Sequence, residues 1–371
     1  MSEKAMASRI SQTRSLLPTL EASLKTFQSS TATFQIIRSI TPSNPQASPP
    51  TAHAISNSPP TVLGAAPRTL FILDSSFNPP SRAHLALATT ALKTSTEPRP
   101  WRLLLLFSTR NADKAAGKPA GFVERIAMMG LFAEDLMGVL DLGHKKKKRE
   151  RQRKGENEDE DKEDKEECEQ ELNIEEEEEK EEEEEITIDI GLTKAPYYTD
   201  KSLAITTANP PAYPNAASLT HIHLLGYDTL TRLLAPKYYP THTPPLSALG
   251  PFFEAGHKLL VLLRPSSSPS PDPSNPNSPF PDPHETDQTQ RLFLTSLRHG
   301  SLEKEGLKTE WAINQISILE GGDVDTATGI SSTLIREAAK KGEWERVGEM
   351  CTNGVKAWIE EGGIYGAKNS R

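Results

Sequence analysis

The chain is poor in several features that would indicate other classes of protein. It has two cysteines in 371 residues, Cys168 and Cys351, so neither a disulfide framework nor a cysteine-based metal site is indicated. No apolar run approaches the ~20 residues that a membrane-spanning helix needs. The N-terminus lacks the apolar segment of a secretory signal peptide. We therefore expect a protein without a membrane partner that works in the cytoplasm, the nucleus or both.

Apolar and aromatic residues are also scarce for a chain of this length. Hydrophobic residues make up 35% of the sequence and aromatic residues 6%, and there are 30 prolines. This composition is thin for one fully packed globule, so part of the chain is expected outside the core. We divide it into a helical N-terminal segment with a Pro/Ser-rich linker (1–67), a single α/β domain (68–364) and a tail (365–371).

The negative charge belongs mainly to one stretch. Residues 145–185 carry 11 Lys/Arg and 22 Asp/Glu, whereas the rest of the chain carries 31 and 29, against a total net charge of −9. We interpret 144–185 as a charged low-complexity insertion and 265–287 as a Pro/Ser-rich loop. The insertion could bind protein partners or carry a nuclear localisation signal. The near-neutral remainder shows no basic face, so no nucleic-acid partner is expected.

Short apolar runs alternate with helical patterns outside these segments. The runs are nearly continuous in Val, Leu and Ile, which is typical of strands buried on both faces of a parallel sheet. They lie at 69–73, 102–107, 186–190, 221–225, 258–263 and 313–319. Helical periodicity is found at 83–93, 123–137, 227–234 and 288–298, and in parts of 1–40 and 343–361. The alternation predicts an α/β fold with a mostly parallel sheet flanked by helices.

The stretch LDSSFNPPSRAHLALA, residues 73–88, leads out of the first of these strands. Ser75 and Ser76 are small enough for backbone N–H groups to approach a phosphate, and the two prolines fix the turn. His84 is predicted on the first turn of the next helix, whose N-terminus is electropositive. Because ligands bind at the carboxyl ends of strands in open α/β sheets, the stretch is a candidate phosphate cradle. The alternative is a plain strand–turn–helix connection.

A second stretch, GISSTLIREAAKKGEW at 329–344, is predicted to begin a helix. Ser331, Ser332 and Thr333 can cap it, and Arg336 lies on the same face as Thr333. Hydroxyls, N–H groups and an Arg at a helix N-terminus can bind an anion. An ordinary capped helix with a surface Arg has the same pattern.

A third stretch, HLLGYDTLTRLL at 223–234, ends an apolar run at Gly226 and places Asp228 at the start of a helix. Asp228 can accept hydrogen bonds from a ribose or an amide, or it can simply cap the helix. The three stretches together place two phosphate-binding helix starts and one acid at strand ends of one sheet.

These stretches carry a family resemblance. SSFNPPSRAH and GISSTLIR resemble the two signatures of the nucleotidylyltransferase superfamily, and LLGYD is similar to a segment of nicotinamide mononucleotide (NMN) adenylyltransferases. Within that family, the chain looks like a divergent fungal branch, four motifs of which occur here in order. They read DSSFNPP (74–80), RNADK (110–114), RIAMMGLFA (125–133) and GYDTLTRLLAPKYY (226–239). The resemblance covers roughly 69–137 and 186–362.

The resemblance implies a Rossmann-like nucleotidylyltransferase fold that transfers AMP from ATP to NMN, or to nicotinate mononucleotide, with Mg²⁺ as the cofactor. The products would be NAD and pyrophosphate. It implies His84 and Arg336 as catalytic residues, and it assigns no protein side chain to the metal. The implied ATP-binding residues are Ser75, Ser76, Phe77, Asn78, Ser81, His84, Ser331, Ser332, Thr333 and Arg336. Those implied for NMN or NAD are Lys114, Gly226, Asp228 and Arg264.

The chain departs from the family pattern at several positions. Ser75 replaces the usual first glycine, Ser81 replaces a His or Thr, and Thr328 stands where an Asn precedes the second signature. The Tyr-Lys pair and the Trp that help to hold NMN are not matched. Candidates to contact the nicotinamide ring are Tyr238, Tyr239 and Phe253. Three functions therefore stay open: an NMN adenylyltransferase, an ATP-binding or ATP-hydrolysing relative with a changed acceptor, and a non-catalytic interaction protein. The oligomeric state is left open.

Overall fold

The computed structural model describes residues 2–42, 66–109, 120–155, 186–263, 287–320 and 329–366, with only the backbone course of the helix given for 142–155. Its centre is a seven-stranded sheet in the order β1-β4-β3-β2-β5-β6-β7. The strands are Phe34–Ile40 (β1), Thr69–Asp74 (β2), Trp101–Ser108 (β3), Thr187–Thr193 (β4), Thr220–Gly226 (β5), Lys258–Leu262 (β6) and Ile316–Ile318 (β7). All neighbours pair in parallel except β1, which is antiparallel to β4.

Helices cover both faces of the sheet. They are Glu3–Ser29 (α1), Arg82–Thr94 (α2), Phe122–Gly155 (α3), Tyr198–Thr206 (α4), Tyr227–Leu233 (α5), Gly250–Glu254 (α6), Asp287–Arg298 (α7), Thr309–Asn314 (α8), Ser332–Lys341 (α9), Trp344–Met350 (α10) and Asn353–Gly362 (α11). Short 3₁₀ turns lie at Ala216–Ser218, Pro236–Tyr238, Pro245–Leu249 and Ile364–Gly366. No described helix is both long enough and apolar enough to cross a bilayer.

The continuous apolar runs form the central strands because both of their faces are covered. β3 is buried from Trp101 to Phe107, and its side chains enter two different apolar clusters, one on each face. The larger cluster joins the sheet to α2, α3 and the C-terminal helices. A further cluster packs β5, β6 and β7 against α5 to α8. The predicted α/β fold with a mostly parallel sheet is therefore confirmed.

Two strands differ from the sequence pattern. The run at 313–319 yields a strand of only three residues, Ile316–Ile318, since Thr309–Asn314 is helical and buries Trp311 and Ala312. The strand β1 was not predicted. It lies at the edge of the sheet and is only partly buried, so its residues do not form a continuous apolar run.

The N-terminal residues lie against the α/β layers. Arg9 of α1 forms ion pairs with Glu134 and Asp135 of α3, at 3.0 and 2.8 Å. Asp135 also accepts the N–H of Gly354 at the start of α11. These bonds fix α1, α3 and α11 to one another on one face of the sheet. The division of the chain at residues 67 and 364 stays a prediction.

Candidate active site

The turn after β2, residues 75–81, lies at the point where the order of the strands in the sheet reverses. The chain runs from β2 to β3 and β4 on one side and later returns to β5 on the other side of β2. In open α/β sheets, ligands bind in the crevice at the carboxyl ends of two such strands. Leu73 of β2 pairs with Leu224 of β5, so Ser75 and Gly226 leave the sheet next to each other. Two of the predicted site segments therefore meet here.

The turn is held by bonds to several other elements. Phe77 has a φ of 44°, in the left-handed region that non-glycine residues adopt rarely, and its ring is fully buried. Its N–H donates to Ser75 Oγ at 3.4 Å. The carbonyls of Ser76, Asn78 and Pro79 all accept hydrogen bonds from side chains outside the turn. These bonds come from two elements, since Arg125 belongs to α3 and Arg336 and Ser332 belong to α9.

His84 lies on the first turn of α2, and both of its ring nitrogens have partners. The Ser81 N–H donates to Nδ1 at 3.0 Å, so the neutral ring carries its proton on Nε2, which lies 2.9 Å from Ser75 Oγ. The residue keeps part of its surface exposed, but its ring packs between Phe77 and Phe132. This burial lowers the pKa of His84 to about 4. His84 therefore presents a neutral N–H donor to the turn.

The N-terminus of α9 packs against the same turn. Ser331 is the N-cap, and its Oγ accepts the N–H of Leu334 at 3.2 Å. The Ser332 hydroxyl donates to the carbonyl of Pro79 at 3.0 Å. The capped helix start predicted at 329–344 is thus found beside the cradle predicted at 73–88.

Arg336 extends this contact. Its Nη1 donates to the carbonyl of Asn78 at 2.8 Å, and its Nη2 donates to Thr333 Oγ1 at 3.1 Å. The side chain is partly exposed and belongs to the first turns of α9. The structure therefore brings together the turn, His84, Thr333 and Arg336, as the sequence predicts.

Arg125 on α3 is a site residue that the sequence reasoning missed. Its Nε and Nη2 donate to the carbonyl of Ser76 at 2.8 and 2.6 Å, and its guanidinium packs on the rings of Phe107 and Phe122. Arg125 is 2% exposed. Burial lowers the pKa of its guanidinium; the nearby Tyr365 acts in the opposite direction, and the charge of Arg336 lowers the pKa further. The available signal was its position at the start of the RIAMMGLFA motif.

A buried ion pair anchors the first residue before the turn. Lys201 of α4 donates to the carboxylate of Asp74, the last residue of β2, and the two side chains are 7% and 8% exposed. The Lys201 ammonium lies 5.1 Å from the centre of the Tyr198 ring. The sequence pattern did not predict α4, so Lys201 was not a candidate. Its one signal is its position shortly after the carboxyl end of β4.

On the β5 side of the crevice, the structure describes fewer of the predicted site residues. Gly226 is the N-cap of α5, and Asp228 lies half-buried in the first turn, so Asp228 is not itself the cap. Lys114 and Arg264 lie outside the described residues, as does Thr328. Of the aromatic candidates, Tyr238 is 42% exposed.

The other two aromatic candidates are engaged elsewhere. Tyr239 donates its hydroxyl to the carbonyl of Leu233 at 2.8 Å. Phe253 is 2% exposed and stacks on Trp311 at 5.1 Å, so its ring is not free to contact a ligand. The interpretation of Phe253 as a nicotinamide contact is therefore wrong, because the ring is part of the core. Tyr197, which follows the carboxyl end of β4, is 51% exposed and was not considered.

The electrostatics of the turn favour an anion. Two guanidiniums, those of Arg125 and Arg336, bond to backbone carbonyls of the turn, and neither has an acidic partner among the residues described. The N-terminus of α9 adds a partial positive charge, and His84 adds an uncharged donor. Hydroxyls, backbone amides and guanidiniums in this arrangement suit phosphate oxygens.

No protein-family model matches the chain. A Schizosaccharomyces pombe protein named "Putative nicotinamide mononucleotide adenylyltransferase" is 25% identical over 284 residues, which cover 76% of this chain and 80% of that protein.

Among solved structures, the chain overlaps with Plasmodium falciparum nicotinic acid mononucleotide adenylyltransferase in its complexes with NaAD and with APC. Both overlaps have 12% sequence identity and cover 81% of this chain and 98% of the other, with TM-scores of 0.39 and 0.36. Scores this low support no conclusion about the fold or function. The similarity to the nicotinamide mononucleotide adenylyltransferase family that the ordered motifs predict is confirmed by the S. pombe relative, which is itself fungal.

Proposed function

We propose that this chain is a nucleotidyltransferase that moves AMP from ATP to NMN or nicotinate mononucleotide, releasing pyrophosphate. The observation that carries the proposal is the contact between two motifs about 250 residues apart. Ser332 and Arg336 of α9 donate to the carbonyls of Pro79 and Asn78 in the turn that also positions His84. This juxtaposition places a guanidinium and a helix N-terminus beside the turn, and that chemistry suits the phosphates of a nucleotide. The S. pombe relative carries the matching name.

The reaction needs no protein nucleophile. A 5′-phosphate oxygen of the acceptor forms a bond to the α-phosphorus of ATP, and the bond from that phosphorus to the bridging oxygen breaks, so pyrophosphate leaves. The protein contributes positioning and charge stabilisation. The Nε2–H of His84 would donate to an α-phosphate oxygen, replacing its contact with Ser75 Oγ. Arg336 and Thr333 would hold the β- and γ-phosphates.

The remaining predicted residues are proposed as follows. The backbone of the turn and the hydroxyls at its two ends would contact the ATP phosphates, together with the cap of α9; these residues are Ser75, Ser76, Phe77, Asn78, Ser81, Ser331 and Ser332. Gly226 and Asp228 would contact the dinucleotide at the end of β5. Lys114 and Arg264 keep their proposed roles toward NMN from the sequence resemblance alone.

We propose that a magnesium ion enters the site with ATP, bound to the substrate phosphates and water. Among the described residues, no group of three or more His, Cys, Asp or Glu side chains could hold a metal ion. Asp74, the acid nearest the turn in sequence, is already paired with Lys201. Mg²⁺ commonly binds through substrate phosphates and water with few protein ligands, and it would supply neutralisation of the triphosphate charge.

A second function is favoured by one observation on the acceptor side. Phe253 is buried against Trp311, and the aromatic contacts of the family are not matched in the sequence. An ATP-using relative with a different acceptor therefore stays as the second candidate. In either case we propose that the protein works in the cytoplasm or nucleus, and that the insertion at 144–185, which begins within α3, binds protein partners.

The test is the formation of NAD and pyrophosphate from ATP, Mg²⁺ and NMN by the purified protein. We expect His84→Ala to lower the rate about 10²- to 10³-fold, as removal of one transition-state donor does. His242→Ala, at an exposed position, is the control and should keep the parent rate. A His84→Ala rate above about one tenth of the parent, which is under ~1.4 kcal/mol of barrier, would refute the role of His84. Inorganic phosphate without NAD would favour the second candidate.

A further inference from the structure

The C-terminal end of the described chain reaches the nucleotide turn. Tyr365, in the turn Ile364–Gly366, donates its hydroxyl to Asn78 Oδ1 at 3.0 Å, across 287 residues of sequence. The same Oδ1 accepts the N–H of Ala120, just before α3, at 3.2 Å. The backbone carbonyl of Asn78 accepts Arg336. Asn78 therefore joins the turn to three separate parts of the chain.

The backbone of Tyr365 adopts an uncommon conformation. Its φ is 68°, in the left-handed region that a bulky residue adopts rarely. Such conformations persist where neighbouring contacts determine them, and they cluster at functional sites. Phe77, in the turn that Tyr365 contacts through Asn78, is a second residue of this kind.

Tyr365 also lies within the electric field of the two site guanidiniums. Burial raises the pKa of its phenol, while the charges of Arg336 and Arg125 act in the opposite direction. The phenol stays protonated at neutral pH, so it is a hydrogen-bond donor and not a counter-ion. Among the described residues its hydroxyl bonds to the Asn78 side chain, and this bond fixes the residue whose carbonyl receives Arg336.

We propose that Tyr365 is a positioning residue of the nucleotide site. Through Asn78 it fixes the carbonyl against which Arg336 is placed, so that the phosphate-binding guanidinium is in position only when the segment 364–366 is docked. This inference rests on the proposed function, because it assumes that the turn and Arg336 hold the triphosphate. It assigns the C-terminal segment to the site and not only to the core.

The test compares Tyr365→Phe with the parent by calorimetric binding of Mg-ATP and by steady-state kinetics. Loss of one positioning hydrogen bond should weaken Mg-ATP binding and raise KM for ATP about three- to tenfold. The KM for the acceptor should change less than twofold. Tyr213→Phe is the matched control, since it removes a phenol that donates to Asp189 in the core at 3.0 Å. It should lower the midpoint of unfolding and leave Mg-ATP binding unchanged.

A double-mutant cycle with Asn78→Ala separates positioning from general packing. If Tyr365 acts through Asn78, Tyr365→Phe should have no further effect on Mg-ATP binding in the Asn78→Ala background. Equal effects in both backgrounds, or unchanged Mg-ATP binding in Tyr365→Phe, would overturn the inference while leaving the proposed function intact. Failure of the parent to bind Mg-ATP would overturn both.

Discussion

Two buried arginines of this protein have opposite environments. Arg102, inside the sheet, is 5% exposed and donates to both oxygens of Asp189 at 3.1 Å. Asp189 also accepts hydrogen bonds from Ser39 and Tyr213. Arg125, beneath the turn after β2, is 2% exposed; within the described part of the chain its hydrogen bonds go to the carbonyl of Ser76, and its guanidinium packs on aromatic rings.

The difference shows which part of the molecule is complete by itself. Burying a charge costs free energy unless it is paired, and Arg102 is paired within the sheet. Neither Arg125 nor the nearby Arg336 forms an ion pair with an acid among the described residues, so these two positive charges at the turn have no carboxylate bonded to them. We infer that these charges are offset by the ligand phosphates when ATP binds. The charge of Arg102 is thus neutralised within the core, whereas we propose that the charges at the turn are neutralised by a bound anion.

The largest effects are expected on the free energy of unfolding when each arginine is replaced by methionine. Arg102→Met leaves the Asp189 carboxylate buried without its cation and should lower the free energy of unfolding by about 3–5 kcal/mol. Arg125→Met removes a cation that has no acid partner, so its free energy of unfolding should change by only about 1 kcal/mol. Chemical denaturation of both variants measures this contrast.

Mg-ATP binding should be affected in the reverse order, more by Arg125→Met than by Arg102→Met. Arg125→Met should raise the dissociation constant of Mg-ATP about tenfold, because the turn loses two hydrogen bonds and a nearby charge. Folded Arg102→Met protein should bind Mg-ATP like the parent. If Arg125→Met proves as unstable as Arg102→Met and binds Mg-ATP normally, the two sites do not differ in the way we infer.

A smaller effect on stability is expected from two histidines, one near the carboxyl ends and one near the amino ends of the parallel strands. Burial lowers the pKa of His84 at the carboxyl edge and of His257 before β6 to about 4 each, from an ordinary value of 6.5. Between these values the unfolded chain binds more protons than the folded protein, so stability falls as pH drops from 6.5 to 4.

The variants His84→Gln and His257→Gln should each reduce proton uptake on unfolding at pH 5 by about one proton. Calorimetric unfolding in buffers of different ionisation enthalpy measures that uptake. Only His84→Gln should also lower the rate of NAD formation, since His257 lies at the opposite edge of the sheet. A loss of NAD formation in His257→Gln would argue against the separation of core and site.

The sequence was sufficient for the parts of the fold whose signal is local. The apolar runs of β2 and β3 are buried on both faces, and Ser331 and Ser332 do begin a helix. The turn at 75–81 was predicted because strand, proline and helix signals follow one another there. The strand β1 was missed because its partner, β4, lies about 150 residues away and only pairing makes it a strand.

The missed site residues share a physical reason. Arg125, Lys201 and Tyr365 reach the turn from three different elements. Arg125 opens the RIAMMGLFA motif, but nothing local in the sequence shows that any of the three side chains is directed at the turn. Their roles depend on the path of the chain in three dimensions: α3 and the C-terminal turn pass beside the turn, and α4 lies next to the end of β2. Phe253 failed for the converse reason, because its burial against Trp311 is not visible in its sequence neighbourhood.

The central claim, that the edge formed by the turn and α9 binds a triphosphate, can be tested by equilibrium binding of Mg-ATP and of AMP to the parent and to Arg336→Ala. Because Arg336 is assigned to the β- and γ-phosphates, we predict that the variant binds Mg-ATP at least about tenfold more weakly, or ~1.4 kcal/mol. Its affinity for AMP should change less than about twofold. Unchanged Mg-ATP binding, or an equal loss for both nucleotides, would contradict the claim.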